Sequence, residues 1–130
     1  MKKYLFILLT CLVAACAAMA QDGPQITFTD KSHDFGNILE AKGPVSHTFE
    51  FTNTGNKPLL IIDVVASCGC TKPEYSGKPI KPGKKGKIKV TYSPIGRPGA
   101  FRKTIKVKTN RTDKRETLVI TGVVIPKGQK

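Results

Sequence analysis

Lys87-Ile88-Lys89-Val90-Thr91-Tyr92 places a large apolar side chain at every second residue, with a lysine or a threonine between. That period-two alternation turns one set of side chains to a core and the other to water, the pattern of a half-buried β-strand. A helix needs apolar residues recurring at spacings of three and four, and no stretch of ten or more residues beyond residue 20 has them. The strand follows Lys81-Pro82-Gly83-Lys84-Lys85-Gly86, a strong turn signal.

The same alternation recurs in both directions. Downstream, residues 94–99 form a loop, and Phe101, Ile105 and Val107 then alternate with Arg102, Lys106 and Lys108. Residues 110–114 turn again, and residues 117–125 are β-branched and strand-like. Upstream, Val45, His47, Phe49 and Phe51 share one phase, as do Ile26 and Phe28. Asn53-Thr54-Gly55-Asn56 marks a turn. Residues 59–66 are nearly continuous apolar. An outward Asp63 there would place Leu60, Ile62 and Val64 toward the core. Strand starts fall roughly every 12–15 residues, so the expected fold is an all-β sandwich of about seven strands.

The chain has 130 residues, 39% of them hydrophobic. That length accommodates one domain, and that apolar fraction is too high for a disordered chain. Residues 1–20 read as an export signal: Lys2 and Lys3, an apolar run from Tyr4 to Ala15, and Ala18-Met19-Ala20 before Gln21. The run is shorter than the ~20 residues that span a bilayer comfortably, so no transmembrane helix is expected in the mature chain. Val13-Ala14-Ala15-Cys16 also fits a lipobox, which would make Cys16 a lipidated N-terminus. The expected location is therefore the periplasm or cell surface, secreted or lipid-anchored to the outer membrane, with residues 21–130 as the folded domain. Removing the signal leaves Cys68 and Cys70 of the four cysteines.

Several segments together resemble a known family. They are His33-Asp34-Phe35-Gly36, Phe49-x-Phe51-x-Asn53-x-Gly55-x-x-Pro58-Leu59, Ser67-Cys68-Gly69-Cys70-Thr71, Pro82-Gly83, Tyr92-x-Pro94 and Gly99-x-Phe101. In order and spacing they are similar to the exported bacterial domain of unknown function 1573. That family resembles the abnormal-spindle/hydin and major-sperm-protein types of domain. The resemblance covers roughly residues 25–125 and implies an immunoglobulin-like β-sandwich in an exported protein or lipoprotein. It implies no activity, and a fold alone supplies none.

Cys68 and Cys70 are the most distinctive pair chemically. An extended Cys-x-Cys holds its Cα atoms about 6.6–7.2 Å apart, at or beyond the reach of a disulfide, so a bond requires a turn at Gly69. Closing so short a loop contributes only about 1.6 kcal/mol of chain entropy. Three readings stand: a local disulfide or thiol pair pinning the loop, a redox-active or partner-exchanging dithiol, and a soft-metal site suited to copper(I). Zinc would need more ligands than the pair provides, and His33 and His47 have no zinc spacing. His47 shares the phase of Phe49 and Phe51 and reads as a partly buried sandwich residue. His33 precedes Asp34 and could orient it through a hydrogen bond.

The charge is uneven. Residues 21–77 hold four basic and seven acidic groups, net −3, whereas residues 78–115 hold fourteen and one, net +13. Lys87, Lys89, Arg102, Lys106 and Lys108 share the outward phase. Were their strands neighbours, one sheet would present a cationic surface to an envelope protein, an anionic glycan or a lipid head group. The plainer reading is a solvated face whose lysines keep sheet edges from pairing. Nucleic acid is disfavoured, because no aromatic residues interleave with the basic ones for base stacking. No nucleophile elbow, His-Glu-x-x-His pair or phosphate-cradling loop is present, so a non-catalytic module without a cofactor is expected.

Overall fold

The computed structural model describes residues 22–111 and 114–128. Residues 1–20, expected from the sequence to be an export signal with Cys16 as a candidate lipidation site, lie outside the described residues. Eight strands run in order: β1 (Ile26–Phe28), β2 (Ser32–Leu39), β3 (Val45–Asn53), β4 (Ile61–Ala66), β5 (Thr71–Tyr75), β6 (Lys85–Tyr92), β7 (Gly99–Thr109) and β8 (Glu116–Ile125). They form two four-stranded sheets, β1-β3-β6-β5 and β2-β8-β7-β4. This is the strand order of an immunoglobulin-like sandwich with its first strand divided between the sheets.

That division accounts for eight strands where about seven were expected. β1 lies antiparallel to β3, and its last link is Thr29 N–H donating to the Glu50 carbonyl at 3.0 Å. The chain then crosses over. Val119 N–H donates to the Lys31 carbonyl at 2.9 Å, and β2 runs on parallel to β8. Gly36, at φ 69°, sits where the register shifts between Asp34 and Asn37, a left-handed position that glycine takes at no steric cost.

The alternating residues fill the space between the sheets. Phe49, Phe51, Leu59, Ile88, Ile105, Leu118 and Ile120 are fully buried. The outward lysines of β6 and the outward Arg102, Lys106 and Lys108 of β7 are exposed, as period-two packing requires. β4 corrects the expected phase. Ile61 and Val64 face the core, while Ile62 and Asp63 are both exposed, because a bulge shifts the register between Ile61 and Asp63.

The Asn53-x-Gly55-x-x-Pro58-Leu59 element acquires a physical reason. Asn53 is fully buried, and its Nδ2 donates to the carbonyls of Lys57 (2.8 Å) and Ile80 (2.9 Å). Its Oδ1 accepts from Gly55 N–H at 2.9 Å. A Cβ at Gly55 would lie 2.1 Å from the Gly23 carbonyl oxygen, so only glycine fits. Leu59 and Ile80 then exchange backbone bonds of 2.8 and 2.7 Å, fixing the entry to β4.

Candidate functional site

The five cations singled out from the sequence are all exposed, but they do not share a surface. Lys87 and Lys89 lie on β6 in one sheet, and Arg102, Lys106 and Lys108 lie on β7 in the other. The expectation of a single cationic sheet is therefore corrected. Alternation sets which way a side chain points relative to its own sheet, and the two sheets face outward in opposite directions.

Each face opposes some of its lysines with carboxylates, and Lys106 is the one of the four with none across from it. On β6, Lys87 stands opposite Glu50 of β3, and Lys89 stands between Thr48 of β3 and Glu74 of β5. Cross-strand pairs of opposite sign offset one another there. On β7, Lys106 stands between Val65 and Thr117, Arg102 opposite Thr121, and Lys108 opposite Asp63. Among the described residues, no carboxylate comes within ion-pair distance of Lys87, Lys89, Lys106, Lys108 or Arg115; Lys31 pairs with Glu116.

The second face is also concave. Asp63, Val65, Lys106, Lys108 and Arg115 line a depression of about 190 Å³. Val65, Ala66, Ser67, Thr104 and Lys106 line another of about 270 Å³. Val65 and Lys106 border both, so the two depressions adjoin along β4 and β7 and together are called the β4–β7 groove. One end carries three cations and one carboxylate, and the other carries hydroxyls. Val65, 56% exposed, is the apolar residue shared by the two. Sequence reading missed Arg115, which precedes β8 in the β7–β8 connection; the hairpin, not alternation, brings it beside Lys106 and Lys108.

Ser67 leads from this groove into the cysteine loop. Cys68 and Cys70 are joined by a disulfide with Cα atoms 5.2 Å apart, closer than an extended Cys-x-Cys allows. The required turn is closed by Thr71 N–H donating to the Cys68 carbonyl at 3.2 Å. Gly69 is not in the left-handed region, and a Cβ there would meet nothing within 4 Å. Cys70 is buried at 4% exposure, whereas Cys68 is partly exposed. In this oxidised form neither sulfur is a thiolate, so copper(I) ligation belongs to the reduced pair only. Among the described residues, no three His, Cys, Asp or Glu side chains converge as a metal site.

The histidines form a different pair from any the sequence suggested. Their rings stack at 3.7 Å between centroids and 7° from parallel, joining β2 to β3 across the sandwich. Nitrogen lone pairs lie in the ring planes, so stacked rings do not aim at one ion. His33 does not orient Asp34, because successive strand residues point to opposite faces. Asp34 instead accepts Gly36 N–H at 2.9 Å. Burial first, and His33 second, hold the His47 pKa below its ordinary value, with Asp30 opposing. Tyr92 and Phe101 also stack across the sheets, at 3.9 Å, which takes both rings away from the basic surface. Among the described residues, no helix is long and apolar enough to cross a membrane.

Comparison with known proteins places this geometry. A protein of unknown function from Porphyromonas gingivalis W83 superposes with a TM-score of 0.67 at 15% identity, over 83% of this chain and 50% of that one. The VesB protease of Vibrio cholerae gives 0.61 at 18% identity, over 76% and 32%. The secreted serine protease VesC from Vibrio cholerae gives 0.56 at 13%, over 80% and 23%. The chain spans half or less of each of these structures, and at such identity the likeness is one of fold. No curated protein matches the sequence. The model of the family described as "Protein of unknown function (DUF1573)" matches residues 26–124, and the chain belongs to that family.

Proposed function

We propose that this chain is an exported, non-catalytic immunoglobulin-like module of the bacterial cell envelope that binds an anionic group in the β4–β7 groove. The observation that carries the reading is the gathering of Lys106, Lys108 and Arg115 around one depression, with Asp63 the one carboxylate that lines it. Cations gathered in a concavity concentrate field and attract anions more strongly than the same charges on a flat surface. An anionic glycan or lipid head group suits the groove, its charge at the cationic end and its hydroxyls against Ser67 and Thr104. An acidic envelope protein is the other partner of that chemistry. Export rests on the pattern of residues 1–20. The likeness to parts of two proteases carries fold and no activity.

Binding to sulfated, phosphorylated and neutral glycans, and to vesicles with and without anionic lipid, tests the proposal. Lys106→Glu with Lys108→Glu should abolish binding, whereas Lys87→Glu with Lys89→Glu should leave most of it. Wild-type binding should weaken as salt rises, because the screening length falls from about 10 Å at 0.1 M to about 3 Å at 1 M. Equal loss from both double variants would remove the groove as the site.

A further inference from the structure

The Cys68–Cys70 bond repeats a restraint that the fold already supplies. Thr71 N–H donates to the Cys68 carbonyl at 3.2 Å, and Ser93 N–H to the Cys70 carbonyl at 2.9 Å. On the β4 side, Ser67 N–H donates to the Thr104 carbonyl at 2.9 Å, and Thr104 N–H donates to Ser67 Oγ at 3.2 Å. These bonds pin both ends of the loop without the sulfurs. A ring spanning three residues also removes little entropy from the unfolded chain. A role other than stapling is therefore indicated.

The two cysteines are unequally buried. Cys70 is buried and Cys68 is partly exposed. Gly69 between them leaves open space where any other residue would place a Cβ, although its backbone does not require glycine. Cys70 N–H points at Cys68 Sγ, 3.0 Å away, a donor ready to stabilise a thiolate there. The Thr71 hydroxyl lies 3.5 Å from Cys70 Sγ.

We propose that Cys68–Cys70 is a thiol–disulfide exchange site, entered at Cys68 by a thiolate of a partner protein carrying a dithiol. This goes beyond the groove reading and does not depend on it. The incoming thiolate forms a new bond to Cys68 Sγ as the Cys68–Cys70 bond breaks. The electron pair leaves on Cys70 Sγ, which takes a proton from water. The partner's second thiolate then attacks the partner sulfur of the mixed disulfide. Cys68 departs as a thiolate that accepts the Cys70 N–H. Overall the partner dithiol loses two electrons and two protons and becomes a disulfide, and Cys68 and Cys70 become the dithiol. The same steps run in reverse transfer the disulfide back.

Glutathione and dithiothreitol serve as probes on the purified chain. About 1 mM dithiothreitol should reduce the native protein without denaturant, and the reduced protein should still unfold cooperatively. Glutathione disulfide should modify Cys68 in the Cys70→Ser variant at least about tenfold faster than Cys70 in the Cys68→Ser variant. Acid-quenched peptide mapping of wild type under excess glutathione gives the same comparison without any substitution, with the adduct expected on Cys68. A bond that opens only in denaturant, equal rates at the two positions, or an adduct found mainly on Cys70 would overturn the proposal.

Discussion

His33 and His47 stack face to face, 3.7 Å between ring centroids, and so join the edge strand of one sheet to β3 of the other. Phe35 packs edge-on against His33 at 4.6 Å, and Phe49 edge-on against His47 at 4.7 Å. The pair closes one side of the sandwich, and His47 within it stays neutral to lower pH than an ordinary histidine.

Stability should therefore fall on mild acidification. The folded pKa of His47 lies below its ordinary value of 6.5, held down by burial and then by His33, with Asp30 opposing. The unfolded chain takes up the proton first, so this contribution is present in full above the unfolded value. It is lost as pH falls from there through the folded value. Urea midpoints should be level above neutrality and decline on moving to mildly acidic pH. His47→Phe should flatten that decline, and parallel profiles for variant and wild type would contradict it.

Glu40 sets a second, more acidic step. Its carboxylate accepts Gly96 N–H at 2.6 Å and Lys127 N–H at 3.0 Å, tying the β6–β7 loop and the C-terminal segment to one side chain. Those two bonds, Gly96 first, lower its pKa from 4.5. The contribution is present above that ordinary value and lost as pH falls through the folded one. Glu40→Gln should remove this step while leaving the histidine step intact. Amide exchange at Gly96 and Lys127 should quicken in the variant.

Asn53→Ala should be among the most damaging substitutions outside the apolar core. It takes the side-chain partner from the Lys57 carbonyl and the Gly55 amide in a part-buried turn, and leaves the Ile80 carbonyl with Leu59 N–H alone. Unsatisfied buried groups cost about 1–3 kcal/mol each, with partial relaxation, so a loss of about 2–4 kcal/mol is expected in chemical denaturation. Asn53→Asp keeps the acceptor and loses the donor, and should fail in the same direction.

Gly86→Ala should destabilise by overpacking. A Cβ at Gly86 would lie 2.3 Å from Phe51 Cζ and 2.6 Å from Ile80 Cδ1. Both neighbours belong to the packed interior, so the loss should be about 1–3 kcal/mol. Combining the substitution with Phe51→Leu should recover part of it, and a thermal melt of the three proteins checks this.

The sequence by itself determined the strands and their inward faces. Ile88, Val90 and Tyr92, and Phe101, Ile105 and Val107, alternate because each strand buries one face and wets the other. That pattern is local, so it is written in consecutive residues and carries through to the sandwich. Where a bulge interrupted it, at Ile62 and Asp63, the local pattern misled. The Cys-Gly-Cys element and the Asn53 turn were legible as motifs, but the partners that explain them, such as Ser93 and Ile80, lie far along the chain.

Only the tertiary structure decided which sheet each strand joins. That choice depends on long-range pairing, which alternation does not encode. It put Lys87 and Lys89 opposite acidic neighbours on one face, and Lys106 and Lys108 beside Arg115 on the other. It divided the first strand at Asp30 and Lys31 and laid His33 on His47. It turned the Cys-x-Cys segment tightly enough for a bond and left Cys68 partly exposed beside a buried Cys70. A strand's faces follow from its own residues, but a site between strands follows from where the fold brings them.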